Sequence, residues 1–147
     1  MRYCRAIWDN TGSITIKKSY HLSVGAKIVN RGTLTMGQDF MINGDSIIIC
    51  SKRIEFGDGC LISWGLQIMD TDFHSIYDCC GQVTNQNKEI VIGDNCWIGS
   101  KCNILKGTRL PSNTIVALGS TITKQFTEEH CVICNNQVIK KEVNWRK

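Results

Sequence analysis

Three polar residues at alternate positions, Asp70, Asp72 and His74, are the side chains of this sequence best suited to chemistry. In an extended segment, residues two apart project from the same face. An imidazole titrates near neutral pH, and a neighbouring carboxylate can fix its tautomer and stabilise the imidazolium form. The pattern therefore favours proton transfer at His74 with a carboxylate beside the ring.

The same segment allows two other interpretations. Asp70, Asp72 and His74 could be three ligands of a metal ion, but no further His or acidic cluster follows to complete a coordination sphere, so we predict no metal. Cys79 and Cys80 lie five and six residues beyond His74, and a thiolate held against that base could form an acyl-enzyme. Cysteine catalysis therefore stays an alternative.

Hexapeptide repeats surround this segment. Between residues 90 and 122 an aliphatic residue recurs at every sixth position, and a small residue follows four positions after the first five of them. The aliphatic residues are Ile92, Ile98, Ile104, Leu110, Val116 and Ile122, and the small ones are Cys96, Cys102, Thr108, Thr114 and Ser120. A period of six fits a short strand and a tight corner repeated along a solenoid, with three sides to each turn.

The N-terminal half repeats with a period of 20 residues. Matching positions include Ile14, Leu34 and Ile54, then Tyr20, Phe40 and Cys60, then Leu22, Ile42 and Ile62, then Ile28, Ile48 and Ile68. The segment IEFGDGCLIS at 54–63 returns as IVIGDNCWIG at 90–99. The repeats therefore stop near residue 70 and resume near residue 90.

These patterns predict an all-β fold, a left-handed parallel β-helix that forms a single domain over residues 1–147. The interruption at about 70–88 is predicted to be a loop extruded from the solenoid, where a functional site is expected. A C-terminal cap at about 134–147 is predicted to include a short helix in QVIKKEVNWRK.

Composition limits the remaining possibilities. The chain has 147 residues, of which 42% are hydrophobic and 20% charged, with a net charge of +4. Lysine and arginine are scattered, so no nucleic-acid partner is expected. No apolar run is long enough for a membrane span, and residues 1–12 lack the pattern of a signal peptide. We therefore expect a cytoplasmic protein whose nine cysteines, including Cys4 and the Cys131–Cys134 pair, are reduced.

The sequence resembles the hexapeptide-repeat acyltransferases, in particular the group of maltose and galactoside O-acetyltransferases. The resemblance covers about residues 34–140, and its most specific parts are IMDTDFH at 68–74, KEIVIGDNCWIGS at 88–100 and VALGSTITK at 116–124. It implies direct acetyl transfer from acetyl-CoA to a hydroxyl in a ternary complex. It also implies a homotrimer whose active sites lie between subunits, without a metal.

The resemblance also assigns residues. His74 corresponds to the general base of the family, and Asp72 and Asp70 are expected to assist it. Asn43 corresponds to an Asn beside the acceptor, although a corner Asn in a left-handed conformation explains it equally well. The cofactor groove is expected to include Trp97, Ser100, Ala117, Leu118, Thr123, Lys124 and Lys140, with Lys124 bound to a phosphate.

Two departures from the family affect these expectations. The usual Gly-x-Pro-Ala-Lys/Arg segment is replaced by CNNQ, so Gln137 stands where a basic residue normally contacts CoA. The N-terminal helical segment of the maltose and galactoside enzymes is also missing, because repeats begin by about residue 14. The first difference leaves the contacts to the adenosine end of CoA unassigned, and the second favours an acceptor from surface-polysaccharide or nucleotide-sugar metabolism.

Other functions on this scaffold are not excluded by the repeats alone. An antibiotic, serine or amino-sugar acetyltransferase would share the fold and the acetyl donor. A carbonic anhydrase would need three histidines gathered together, whereas His21, His74 and His130 are far apart in the repeat. A non-catalytic scaffold would have no reason to extrude a loop that carries DTDFH. We therefore expect an O-acetyltransferase for a sugar or polysaccharide precursor.

Overall fold

The computed structural model describes residues 5–147, and Cys4 lies outside them. Within that range the chain consists of strands, turns and loops. The strands in chain order are β1 (Ile7–Asn10), β2 (Ser13–Ile16), β3 (Tyr20–Leu22), β4 (Lys27–Asn30), β5 (Thr33–Met36), β6 (Phe40–Ile42), β7 (Ile47–Cys50), β8 (Arg53–Phe56), β9 (Leu61–Ile62), β10 (Gln67–Met69), β11 (Ile90–Ile92), β12 (Trp97–Ile98), β13 (Asn103–Leu105), β14 (Arg109–Leu110), β15 (Ile115–Val116), β16 (Thr121–Ile122), β17 (Val132–Cys134) and β18 (Gln137–Lys140).

The strands wind around three sheets, because hydrogen-bonded neighbours are mostly three strands apart in the chain. The first sheet has the order β1-β4-β7-β10-β13-β16, the second β14-β11-β8-β5-β2, and the third β18-β17-β15-β12-β9-β6-β3. Neighbouring strands are parallel except for the pair β17 and β18. The prediction of a parallel β-solenoid is confirmed, with about six turns.

The strand registers confirm the spacing found in the sequence. Ile28 pairs with Ile48, and Ile48 with Ile68, at intervals of 20 residues. Ile104 pairs with Ile122 at an interval of 18 residues. Between these regions, the paired residues Ile68 and Ile104 are 36 positions apart. This interval is longer because the turn that joins them also contains the extruded loop. The loop therefore interrupts the chain without interrupting the sheets.

The core is a stack of aliphatic columns in the centre of the solenoid. Ile28, Ile48, Ile68, Ile104 and Ile122 form one column, and each is fully buried. Burial of a side chain of this size stabilises a fold by about 1.5–3 kcal/mol. The core also holds the rings of Phe40 and Phe56, whose centroids are 4.8 Å apart and whose planes are tilted by 53°. These buried columns make the three sheets a rigid support for the loops that leave the solenoid.

Residues in the left-handed conformation recur at two of the three corners, whereas the third corner has Gly107. Between the second and third sheets these residues are Asp39, Gly59, Asn95, Asn113 and His130, and between the third and first they are Gly25, Asp45, Gly65, Lys101 and Gly119. Most are Gly, Asn or Asp, the residue types that tolerate positive φ best. The corner after Ile42 uses Asp45 for this purpose, so the left-handed conformation does not explain Asn43.

The predicted C-terminal helix is wrong. Strand β18 turns back antiparallel on β17, and residues 141–147 continue without a helix. The reason lies in Asn135 and Asn136, which have φ of 43° and 66° and form a two-residue hairpin connection. Val138 and Ile139 then favour an extended strand over a helix. The CNNQ sequence is therefore a hairpin turn.

The hairpin turn caps the end of the first sheet. The Asn135 side chain accepts a hydrogen bond from the Thr121 amide at 3.1 Å, and that of Asn136 accepts one from the Thr123 amide at 2.8 Å. These bonds occupy backbone groups at the edge of β16, which would otherwise be open to another strand. No helix within residues 5–147 is long and apolar enough to cross a membrane.

Candidate active site

The extruded loop is anchored at its first residue. Asp70 is fully buried, and its carboxylate accepts hydrogen bonds from the backbone amides of Ser51, Lys52 and Arg53, each at 2.7 Å. The other end of the loop returns to the same corner, where the Lys88 amide donates to the Asp70 carbonyl at 3.3 Å. Both ends of the loop are therefore held at one point of the solenoid.

Asp70 occupies the last position of a polar column at this corner. Asn10 pairs with Asn30 and Asn30 with Cys50, and Asp70 follows Met69, the partner of Ile49. Asn30 and Cys50 bond to backbone groups of the corner just as Asp70 does. Burial, and then the charge of Asp70, raises the pKa of the Cys50 thiol to about 12. Asp70 therefore has the contacts of a corner-forming residue.

The loop is organised internally by Asn85. Its side-chain amide donates to the Asp72 carboxylate and to the His74 carbonyl, both at 2.8 Å, and its side-chain oxygen accepts from the Ile76 amide at 2.7 Å. One side chain thus ties three alternate residues of the loop together. Beyond Ile76 the loop forms a short hairpin, with Tyr77 opposite Val83. The loop is therefore an ordered element and not a loose connection.

Lys106 fastens this loop to the next turn of the solenoid. Its ammonium group donates to the Asp72 carboxylate and, at 2.8 Å, to the Asn85 carbonyl. The hydrogen bonds from Lys106 and then from Asn85 lower the pKa of the Asp72 carboxyl below its ordinary value. Asp72 is therefore an anion engaged with Lys106, and its role in the structure is to hold the loop down.

His74 lies on the surface of the loop, in a cleft of about 280 Å³. Thr71, Phe73, Asn85 and Asn87 also line this cleft. The segment is not extended, because Phe73 has a φ of 63°. As a result, neither Asp70 nor Asp72 is hydrogen-bonded to the imidazole within the described residues. The ring is accessible to an acceptor, and its expected carboxylate partner is engaged elsewhere.

The expected acceptor and cofactor residues form a second group on another part of the surface. Asn43 follows β6, Trp97 lies in β12, and both belong to the third sheet. Ser100, Ala117 and Leu118 occupy the corner between the third and first sheets, and Leu118 is 72% exposed. His74 lies at the corner between the first and second sheets. A single chain therefore does not bring Asn43 and His74 together on one face.

The remaining cofactor candidates lie at the C-terminal end of the solenoid. Thr123 and Lys124 follow β16 and are exposed at the same corner as the loop. The Thr123 hydroxyl already accepts a hydrogen bond from Asn136 at 2.9 Å. Lys140 is exposed at the end of β18. The lysines are thus free to meet a phosphate, whereas Thr123 is engaged by the cap.

Sequence reasoning missed Asn85 and Lys106. Neither belongs to a motif, and Asn85 interacts with Asp72, 13 positions away, and with Lys106, 21 positions away, through the conformation of the loop. Lys106 follows a strand in the turn above the loop, so the repeat period could have placed it at the loop corner. The corner column of Asn10, Asn30, Cys50 and Asp70 is a clearer missed signal, because its spacing of 20 residues is visible in the sequence.

The described residues contain no group of three or more His, Cys, Asp or Glu side chains arranged to hold a metal ion. The eight cysteines of residues 5–147 are free thiols, and five of them are buried. Cys79 and Cys80 are exposed at the tip of the loop hairpin. There the Asp78 carboxylate accepts hydrogen bonds from the amides of Cys80 and Gln82, which shape the turn.

Comparison with known proteins agrees with the repeats and the fold. Residues 89–124 match the family model described as the hexapeptide repeat of succinyl-transferase. The polysialic acid O-acetyltransferase of Neisseria meningitidis is 31% identical over 102 residues, which are 69% of this chain and 44% of that protein. This chain therefore spans less than half the length of that relative.

Solved structures show the same architecture. The polySia-specific acetyltransferase NeuO superposes with a TM-score of 0.80 at 17% identity, over 97% of this chain and 85% of the other. A hexapeptide-repeat acetyltransferase from Vibrio cholerae, solved with acetyl-CoA, superposes with a TM-score of 0.61 at 18% identity, over 88% and 69% of the two chains. At these identities the similarity establishes a shared fold.

Proposed function

We propose that this chain, a hexapeptide-repeat solenoid whose relatives include O-acetyltransferases of polysialic acid and galactosides, transfers an acetyl group from acetyl-CoA to a hydroxyl of a sugar or polysaccharide precursor. The observation that carries this proposal is the position of His74. It is an accessible imidazole in a cleft, on an ordered loop that leaves the solenoid at the only interruption of the repeats in the described residues. A rigid wall with one exposed base suits proton transfer during acyl transfer.

His74 acts as the general base. It accepts the proton of the acceptor hydroxyl while the hydroxyl oxygen forms a bond to the acetyl carbon, and it returns the proton to the sulfur as the carbon–sulfur bond breaks. Acetyl-CoA supplies the acetyl group as a thioester, and the products are an acetate ester and CoA. Asn85 and Lys106 hold the loop so that the imidazole faces the cleft, and Asp72 orients the loop through them.

The active site is formed between two copies of the chain in a homotrimer. Support comes from the separation of His74 from Asn43 and Trp97, which lie on different faces of one solenoid. A second observation is that Phe73, Ile76 and Tyr77 on the loop are each more than half exposed. Exposed apolar groups on an ordered element usually contact a partner.

Acetyl-CoA fits the exposed groups at the third sheet and at the C-terminal end. Trp97 and Leu118 offer apolar surface, and Lys124 and Lys140 offer positive charge for phosphates. We place the reaction in the cytoplasm, because free cysteines persist in reducing compartments.

The test is release of free CoA from acetyl-CoA with a panel of sugars, polysaccharides, nucleotide sugars and serine. We expect the wild-type protein to be active with a sugar-type acceptor and His74→Ala to lose about 10²–10⁴-fold in kcat. The matched control is the double variant Cys79→Ser and Cys80→Ser in the same loop, which should keep full activity. Full activity of His74→Ala, or loss of activity in the cysteine variant, would contradict the assignment.

A further inference from the structure

The C-terminal segment 141–147 runs back along the corner between the second and third sheets, toward the N-terminal strands of these sheets. The Val143 amide donates to the His130 carbonyl at 2.9 Å. The Trp145 indole donates to the Asn95 carbonyl at 2.7 Å, and the Lys147 ammonium donates to the Asp39 carbonyl at 2.6 Å. These carbonyls belong to successively earlier turns, so the segment crosses several turns of the solenoid. We call it the tail.

A cleft of about 250 Å³ lies between the tail and the third sheet. Its walls include Trp64, Trp97 and Trp145, its base includes Asn43, and Arg146 and Lys147 lie on the tail side. The rings of Trp97 and Trp145 are 5.8 Å apart and tilted by 43°. The Trp97 indole donates to the hydroxyl of buried Ser63 at 3.0 Å, which fixes the orientation of the ring. The cleft is therefore preorganised on its sheet side.

The chemistry of the cleft suits an acidic sugar. Indole faces present large apolar surfaces that can pack on the apolar face of a sugar ring. Arginine matches the two oxygens of a carboxylate with its planar pair of donors, and lysine adds a point charge. None of the described residues that line the cleft is acidic. Its volume is slightly below the range of about 300–1,000 Å³ typical of sites for small molecules, so it would hold one unit of a longer chain.

We propose that this cleft is the acceptor subsite, and that the tail makes it selective for a glycan that carries carboxylates. This inference rests on the proposed acetyl transfer, because Trp97 and Asn43 belong to the residues expected to meet the acetyl donor and the acceptor. The tail supplies Trp145, Arg146 and Lys147, which lie outside the hexapeptide repeats. Selection of the acceptor is therefore assigned to a segment separate from the residues that act on the proton.

Binding can be measured without acetyl-CoA by tryptophan fluorescence, since three of the four tryptophans line the cleft. The probes are a sialic acid oligomer and a neutral maltodextrin of equal length. We expect the acidic oligomer to change the fluorescence at concentrations at least tenfold lower than the maltodextrin. The double variant Arg146→Gln and Lys147→Gln should raise the dissociation constant of the acidic oligomer at least tenfold and leave weak maltodextrin binding unchanged.

The matched control removes two positive charges elsewhere, in the variant Lys18→Gln and Lys27→Gln, whose side chains are exposed and do not line the cleft. It should bind the acidic oligomer within about twofold of wild type. Equal binding of both probes, or an unchanged dissociation constant in the tail variant, overturns the inference. Tighter binding by Trp145→Ala also overturns it, because the tail would then be a cover over the cleft.

Acetyl transfer separates this inference from the proposed function. If the tail variant raises KM for an acidic acceptor and leaves kcat unchanged, both proposals are supported. If the wild-type protein binds the acidic oligomer but never releases CoA from acetyl-CoA, the proposed function fails and the binding site remains. If it transfers acetyl groups with a KM that does not respond to the tail variant, the acceptor subsite lies elsewhere.

Discussion

Asp70 and Asp72 lie two residues apart and have different partners. Asp70 is buried and bonded to three backbone amides, whereas Asp72 is partly exposed and paired with Lys106. The two carboxylates therefore stabilise the loop in different ways. Asp70 shapes the corner from which the loop leaves, and Asp72 fixes the loop against the next turn of the solenoid. His74 depends on both without a hydrogen bond to either.

We predict that Asp70→Asn is strongly destabilising. The new amide group would face the Lys52 and Arg53 amides, so two donors would lose a charged acceptor. Hydrogen bonds to charged groups contribute about 1.5–3 kcal/mol each, so two of them give a loss of about 3–6 kcal/mol in the free energy of unfolding, measured by urea denaturation. Asp94→Asn is the control, because exposed Asp94 accepts from the amide of Asp58. A loss in Asp70→Asn no larger than in this control would contradict the prediction.

We predict that Lys106→Met loosens the loop with little effect on overall stability. The loop loses its ammonium anchor, while the Asp72 carboxylate is exposed and joins only the loop to the solenoid, so the pair contributes little to global unfolding. Hydrogen exchange should show lower protection of amides in residues 72–86 and unchanged protection in the core strands. Lys27→Met, on the exposed face of the first sheet, should change neither.

The same contact makes the loop sensitive to acid. The pKa of Asp72 is lowered in the folded protein, so the loop stabilisation is complete above the ordinary Asp pKa of about 3.9 and is lost as the pH falls through the lower folded value. Protection of residues 72–86 should stay constant from pH 7 to about 5 and decline below about 4. A loop whose protection declines already near pH 6 would not depend on Asp72.

At the scale of elements, the C-terminal hairpin illustrates what asparagine contributes beyond a turn. Asn136 adopts positive φ and also bonds to both the amide and the hydroxyl of Thr123. We predict that Asn136→Gly, which tolerates this φ, costs about 1 kcal/mol through the lost hydrogen bonds, and that Asn136→Ala costs about 1–2 kcal/mol more through strain. Thermal unfolding of the two variants measures the difference, and equal melting temperatures would exclude backbone strain as a cause.

The regular elements followed from the sequence, and the irregular ones did not. Ile28, Ile48 and Ile68 made the solenoid recognisable in the sequence. Every turn buries the side chain at the same position, so an apolar residue is required there at a fixed spacing. The loop has no position at which the same type of residue must recur, and its conformation depends on single contacts such as the hydrogen bond from Asn85 to the His74 carbonyl. The predicted helix is absent because the Asn135–Asn136 turn places Val138 and Ile139 in a strand against β17.

Site prediction from sequence had a similar limit. The motif around His74 lies in the extruded loop, and the cofactor candidates lie on strands and corners of the solenoid, where their part in binding stays a prediction. The alternation of Asp70, Asp72 and His74 predicts one extended segment, and the left-handed conformation of Phe73 breaks that alternation between Asp72 and His74. No local pattern predicts one residue of positive φ when the residue is an aromatic.

At the scale of the whole molecule, the two groups of site residues lie on different faces of the solenoid. If subunits of a trimer share each site, two inactive variants should complement each other. His74→Ala lacks the proposed base, and Leu118→Glu places a charge at an exposed position of the proposed cofactor groove. Co-refolded in equal amounts, they should recover about one quarter of wild-type activity, because one site in four combines both intact faces.

The complementation experiment measures CoA release and, by sedimentation, the size of the assembly. Each variant refolded alone should be inactive, which provides the reference. A mixture no more active than either variant alone would mean that one chain supplies both faces of its own site. Recovery of activity in a monomeric fraction would exclude the shared site in the same way.

The loop enters and leaves the solenoid at Asp70 and Lys88, whose backbones are hydrogen-bonded to each other. Opening of the loop therefore requires no strand to separate, and contacts such as Lys106 with Asp72 are much weaker than the columns of buried isoleucine. On warming, catalysis should fade at a temperature at which the sheets are still intact, and it should return on cooling. Loss of activity on heating then does not report unfolding of this protein, and a heat-inactivated sample can still have its solenoid folded.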